Sequence, residues 1–203
     1  MSEKSQNNKR QTLRSLAGAC GIIGSIMPLF IVLLSTFLSS WFSWNVNALS
    51  ELGVGQQATL FNSAVLVGGV LNFLFALGLH HHLGREKLIK SGIISIMLSS
   101  IALALVGIFT VDYHIPHGVA AFGYFVLAPA GFLLIGLGTK EDIIRRISYV
   151  CGVGALLAIL VLPVIVLFLP FEVGFAVPEL AEGLIISAWT IYMSARLFER
   201  KSV

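Results

Sequence analysis

No charged residue occurs between Arg14 and Glu51. This gap constrains the fold more than any other feature of the chain. It is long enough to cross a bilayer, which takes about 20 mostly apolar residues. The pattern recurs between Glu51 and Arg85, Lys90 and Asp112, Asp112 and Lys140, and Arg146 and Glu172. A sixth apolar segment holds Glu179 and Glu182 in its first turns and then runs uncharged to Arg196. A soluble fold of 203 residues could not hide so much apolar surface. Hydrophobic residues make up 57% of the chain and charged ones 11%, against roughly 45–50% and 25% in soluble domains. The composition excludes a disordered chain, a nucleic-acid binder and an ordinary cytosolic enzyme.

The class expected is therefore all-α: a polytopic membrane protein built as a six-transmembrane-helix bundle. The spans fall at about 16–38, 58–79, 91–111, 117–137, 147–169 and 178–198. A segment 1–15 precedes them and a tail 199–203 follows. All 13 basic residues lie before span one, between two and three, between four and five, or after six. Basic loops stay in the cytoplasm, so both termini are expected there, in a multi-pass protein of the cell membrane. Glu51, Asp112, Glu172, Glu179 and Glu182 then mark the outer end. The first span reads as an anchor, because its apolar run exceeds a signal-peptide core. The basic pI of 9.0 reports topology and contact with anionic inner-leaflet lipids, not nucleic acid.

Small residues at four-residue spacing allow close helix approach. Span one has Ala17, Gly21 and Ser25, span two Ala64, Gly68 and Gly69, and span five Cys151, Gly154, Ala155 and Ala158. Such faces serve bundle packing and also admit a homo-oligomer. Pro28, Pro129 and Pro163 should bend their spans. Cys20 and Cys151 read as structural thiols. The run His80, His81 and His82 cannot converge on one ion, since successive helical residues point about 100° apart.

Three polar clusters face outward. Asn45, Asn47, Ser50 and Glu51 lie in the longest outer loop, behind Trp41, Phe42 and Trp44, with Asn62 one turn into span two. Asp112, His114 and His117 lie in the short turn between spans three and four. They suit either a capped turn, with Asp112 on the free amides of the next helix, or an acid/base or metal-binding group. Glu179 and Glu182 share one helix face. Acids there suit the helix dipole, yet an ionisable group inside a span is a functional candidate by default. If spans two, four and six adjoin, Asn62, Asp112, His117 and Glu182 could surround one outward pocket. A divalent metal held by His114, His117, Asp112 and Glu182 could then activate water.

The chain resembles a family of six-span prokaryotic membrane proteins catalogued as domain of unknown function 998. The resemblance rests on Asn47-Ala-Leu-Ser50-Glu-Leu-Gly53, Leu60-Phe-Asn62, Gly107-Ile-Phe109, His117-Gly-Val-Ala-Ala121, and the acidic turn with Trp189. That family has no assigned activity. Its distant similarity to a six-span group containing lipid-anchor remodelling proteins implies lipid-related work, with membrane lipids as partners. The function expected is binding or processing of a lipid-like ligand in an outward polar pocket. As a hydrolase or transferase it would use Asp112, His114, His117 and Glu182 as catalytic groups. Ser50, Glu51, Asn62, Glu179 and Trp189 would bind the ligand. The alternative is a non-enzymatic transporter or membrane scaffold.

Overall fold

In lipid every backbone amide must find its partner within its own segment, and a helix does this for a single span. The computed structural model describes residues 3–83, 86–161, 164 and 174–199. Those residues form long helices and a few turns, with no strand among them. The helices are α1 (Glu3–Leu38), α2 (Ala58–Leu83), α3 (Lys87–Ile108), α4 (His114–Gly138), α5 (Asp142–Leu160) and α6 (Ala176–Phe198). Helices α1 to α5 are long and apolar enough to cross a membrane. Helix α6 falls outside that group, because Glu179, Glu182 and Arg196 lie within it. The second half of the expected fifth span, with Pro163 and Glu172, lies outside the described residues apart from Val164. So do Arg85, Arg200 and Lys201.

The helices form a closed ring. Each packs on the next in sequence, and α6 returns to pack on α1. Helices α2, α4 and α6 are not successive members of the ring, and α4 meets α6 only narrowly, where Phe132 stacks on Trp189. They alternate around the ring and face its centre from different sides. Helix α1 has 36 residues, about 54 Å at 1.5 Å per residue. That exceeds the ~30 Å hydrocarbon core, so its polar first turns continue past the apolar part as the same helix. Every described Lys and Arg from Lys9 onward lies at one end of the ring, here the basic end, and Glu51, Asp112, Glu179 and Glu182 lie toward the other, the acidic end.

Glycines set the closest approaches. A Cβ on Gly92 of α3 would lie 2.6 Å from the Gly131 carbonyl of α4, and one on Gly131 would lie 2.7 Å from the Gly92 carbonyl. The pairing is reciprocal, so neither position admits a side chain. Ala17, Gly21, Ala64, Gly68, Gly69 and Ala155 are likewise buried within the chain, and their small faces meet neighbouring helices of the same ring. Pro129 cannot donate to the Phe125 carbonyl one turn back. Around this break Ser99 and Ser95 of α3 donate to the Tyr124 and Leu127 carbonyls, at 3.0 and 2.7 Å. Serine hydroxyls in this way help satisfy carbonyls that lipid could not.

Large side chains pack the interior toward the basic end, where a second pocket of about 110 Å³ opens between Arg14, Leu79, Glu141, Met193 and Arg196. Phe75, Leu79, Ile93, Phe132, Ile135, Trp189 and Met193 form one buried cluster. Trp189 stacks on Phe132 at 4.1 Å between ring centres. Its indole donates to the Ser148 hydroxyl of α5 at 2.9 Å, so its polar edge is satisfied as burial requires. Cys20 and Cys151 are free thiols packed beside this cluster.

Candidate functional site

The acidic half is built differently. The loop at this end, residues 39–57, is organised by side chains bonding to backbone. Asn47 accepts from the Ser43 amide at 2.9 Å and donates to Glu51 at 2.6 Å. Glu51 also accepts from the Ala48 amide at 2.9 Å. These bonds close a short 3-10 turn, Leu49–Gly53. Trp41, Phe42 and Trp44 pack edge to face beside it.

Four hydrogen bonds hold this loop on the ring. Glu179 of α6 accepts from the Leu49 amide at 2.5 Å. The Ala176 amide donates to the Asn47 carbonyl at 3.0 Å, and the Gly174 amide to the Trp44 carbonyl at 3.1 Å. Asn62 of α2 donates to the Gly53 carbonyl at 2.9 Å. A Cβ on Gly53 would sit 2.7 Å from the Asn62 side-chain oxygen, so this bond needs a glycine. The acidic loop is thus a fixed cap, not a free connection.

Beneath the cap the ring forms a half-open chamber of about 110 Å³. Gly24, Pro28 and Val32 line it from α1, Phe61, Val65 and Asn72 from α2, and Leu103 and Val106 from α3. Ala121, Tyr124 and Phe125 line it from α4, and Leu180, Gly183, Ile186 and Ser187 from α6. Leu49, Ser50 and Glu179 form its rim. The lining runs from Glu179 to Ser187, about 12 Å of helix. A small pit of about 20 Å³ adjoins its floor, where Asn72, Ser99, Tyr124 and Thr190 lie among Phe75, Ile96 and Phe132. Asn72 donates to the Gly24 carbonyl at 3.1 Å, while its own oxygen has no partner among the described residues.

Ser50 and Glu179 are the two expected site residues that the chamber brings together. Glu51 and Asn62 hold the cap and do not line the space. Asp112 and His114 are exposed at the α3–α4 turn, and Asp112 does not cap the helix, which begins after Tyr113. His117 is only 9% exposed, and its Nδ1 donates to the Phe109 carbonyl at 2.7 Å. It secures the end of α3 to the start of α4. Trp189 belongs to the packed half and lies below the chamber floor.

Glu182 stands apart. It is fully buried, and neither carboxylate oxygen has a hydrogen-bond partner among the described residues. It lies within electrostatic range of Tyr124, which lines the chamber from α4. A buried polar group without a bond is costly, so its presence at this depth needs a reason beyond packing. Among the described residues, no group of three or more His, Cys, Asp or Glu is close enough to hold a metal ion. The outward set of His114, His117, Asp112 and Glu182 is therefore not assembled into a metal centre, because His117 is tied to its own turn and Asp112 and His114 point to the surface.

The residues that sequence reasoning missed are the wall: Leu103, Tyr124, Phe125 and Gly183. Gly24, Ser25 and Pro28 carried a signal for open space, a run of small residues beside a proline, which packing explained equally well.

Fold and chamber together define a polytopic helical membrane protein with a capped central cavity. The model of the family described as protein of unknown function DUF998 matches residues 22–196, and the chain belongs to that family. The match takes in the chamber, its cap and the packed half. No curated protein and no solved structure matches the chain.

Proposed function

We propose that this is a cell-membrane protein, with both termini cytoplasmic, that binds a lipid-like amphiphile in the central chamber from the outer surface. The observation that carries this reading is the chamber's gradient of polarity. Its wall is apolar on five helices, and its rim holds Ser50 and Glu179 at the acidic end. Pockets that are mostly apolar, with a few convergent polar groups, are the usual form of small-ligand sites. The volume is somewhat below the ~150 Å³ of a cavity that holds benzene. Extended over about 12 Å of helix, it suits a slim chain better than a ring system.

The orientation follows the basic residues, which cluster at one end of the ring. The support favours binding over turnover, since His117 is committed to the Phe109 carbonyl and Asp112 and His114 stand outside the chamber. A continuous transport path has less support, because Phe132 and Trp189 close the floor.

The reading is tested by extracting the protein after purification and identifying retained amphiphiles by mass spectrometry. Wild type should retain one class of chain-bearing molecule. Leu103→Trp, which fills the chamber from α3, should lose it. An identical set in both proteins would count against a chamber site.

A further inference from the structure

The chamber has a sign of charge as well as a shape. Glu179 is the one charged side chain among the described residues that line it. Its carboxylate is fixed in place by the Leu49 amide. Glu51 lies on the same cap, two residues beyond Leu49. Fully buried Glu182 lies one helical turn further along α6, with both oxygens unpartnered among the described residues. No described Lys or Arg lies at this end of the ring. Helix α6 also presents its N-terminal end here, and the dipole partly offsets the field of Glu179 at the helix start.

An anionic head would find no base here to receive it, and Glu179 beside it. A cationic head would find a preformed carboxylate at the top of an apolar shaft. Resting on the amphiphile reading above, we propose that the chamber selects amphiphiles with a cationic, ammonium-type head, held at Glu179 beside Ser50, with the chain lying between Leu103, Phe125 and Ile186. Selectivity of this kind is electrostatic complementarity, in which like-charge placement rejects the wrong partner as strongly as opposite charge attracts the right one. The apolar wall contributes affinity without regard to charge.

The test uses the full chain in lipid nanodiscs and isothermal titration with octylammonium, octyl phosphate and octanol, with empty nanodiscs subtracted. Wild type should bind octylammonium at least about tenfold more tightly than octyl phosphate, with octanol between them. Glu179→Gln keeps an oxygen that can accept from Leu49 and removes the charge. It should bring the octylammonium and octanol affinities together. Ser50→Lys, which places a base on the rim, should shift the preference toward octyl phosphate and provides a second reading should Glu179→Gln fold poorly. If octanol and octylammonium bind alike in wild type, and neither variant changes their ratio, the charge selectivity is overturned while the chamber reading stands. If none of the three binds in a manner abolished by Leu103→Trp, the chamber reading falls with it.

Discussion

The two halves of the ring solve the same problem in opposite ways. At the basic end, charges are paired: Arg196 bridges Glu141 at 2.7 Å and Glu199 at 2.7 Å, and Arg14 donates to the Glu199 carbonyl at 3.3 Å. Below these pairs, Phe75, Phe132, Trp189 and Met193 fill the interior. At the acidic end, carboxylates have no cationic partner among the described residues. Glu51 and Glu179 bond to backbone amides or an amide side chain, and Glu182 bonds to nothing described. Below them the interior is open. The ion pairs among the described residues thus lie at the basic end, and the acidic end has none. Buried groups normally pair, because desolvation without compensation is expensive.

The sharpest way to break this contrast is to damage the packed half. Trp189→Ala removes the stack on Phe132 and the bond to Ser148. Large aromatic truncations cost about 3–5 kcal/mol, so thermal unfolding in detergent should show the largest loss of any substitution considered. A small loss would mean that the basic half is not the closed core described. Next in size is the chamber filler: Leu103→Trp should lower affinity for the bound amphiphile by about tenfold or more, equivalent to ~1.4 kcal/mol. Its melting temperature should stay near that of wild type, since the new ring enters existing space. A strong destabilisation would contradict the open volume.

The cap should respond by a comparable amount. Glu179→Ala leaves the Leu49 amide without its acceptor, and an orphaned buried donor costs about 1–3 kcal/mol. Hydrogen exchange at Leu49 and proteolysis in residues 39–57 should both accelerate, with the α2 and α3 amides unchanged. Uniform acceleration would mean that the cap is not a separable unit. The smallest effect belongs to the exposed ion pairs. Arg196 and Glu141 are 38% and 49% exposed, and such pairs contribute at most about 1 kcal/mol. Arg196→Ala should change the melting temperature only slightly, and less still in high salt.

Much of the architecture was legible in the residues. Charge-free runs bounded by Arg14, Glu51, Asp112 and Lys140 delimit helices that the structure contains, because lipid forces such runs into helix. The cap was partly legible, since Ser50, Glu51 and Glu179 stood out as polar groups flanking apolar spans. The convergence of side chains was not. Helices α2, α3 and α4 are apolar on every side, so nothing in their sequence separates a lipid-facing residue from an inward one, as an amphipathic stripe would in water. Asn62 and His117 therefore looked like neighbours of Glu182. In the ring, each is committed to a local carbonyl, Gly53 for one and Phe109 for the other. Trp189 looked like a site residue because it follows the acidic turn, but it lies two helical turns below Glu182, in the packed half.

Thiol accessibility tests the central claim, an open chamber at the acidic end above a packed cluster, most directly. Cys20 and Cys151 would first be replaced by alanine. Ser187→Cys, on the chamber wall, and Ile135→Cys, in the packed cluster, would then be treated in nanodiscs with 2-aminoethyl methanethiosulfonate. The account predicts rapid modification at 187, slowed by octanol, and none at 135 while the protein remains folded. Equal reactivity at the two positions, or protection of 187 with labelling of 135, would contradict it.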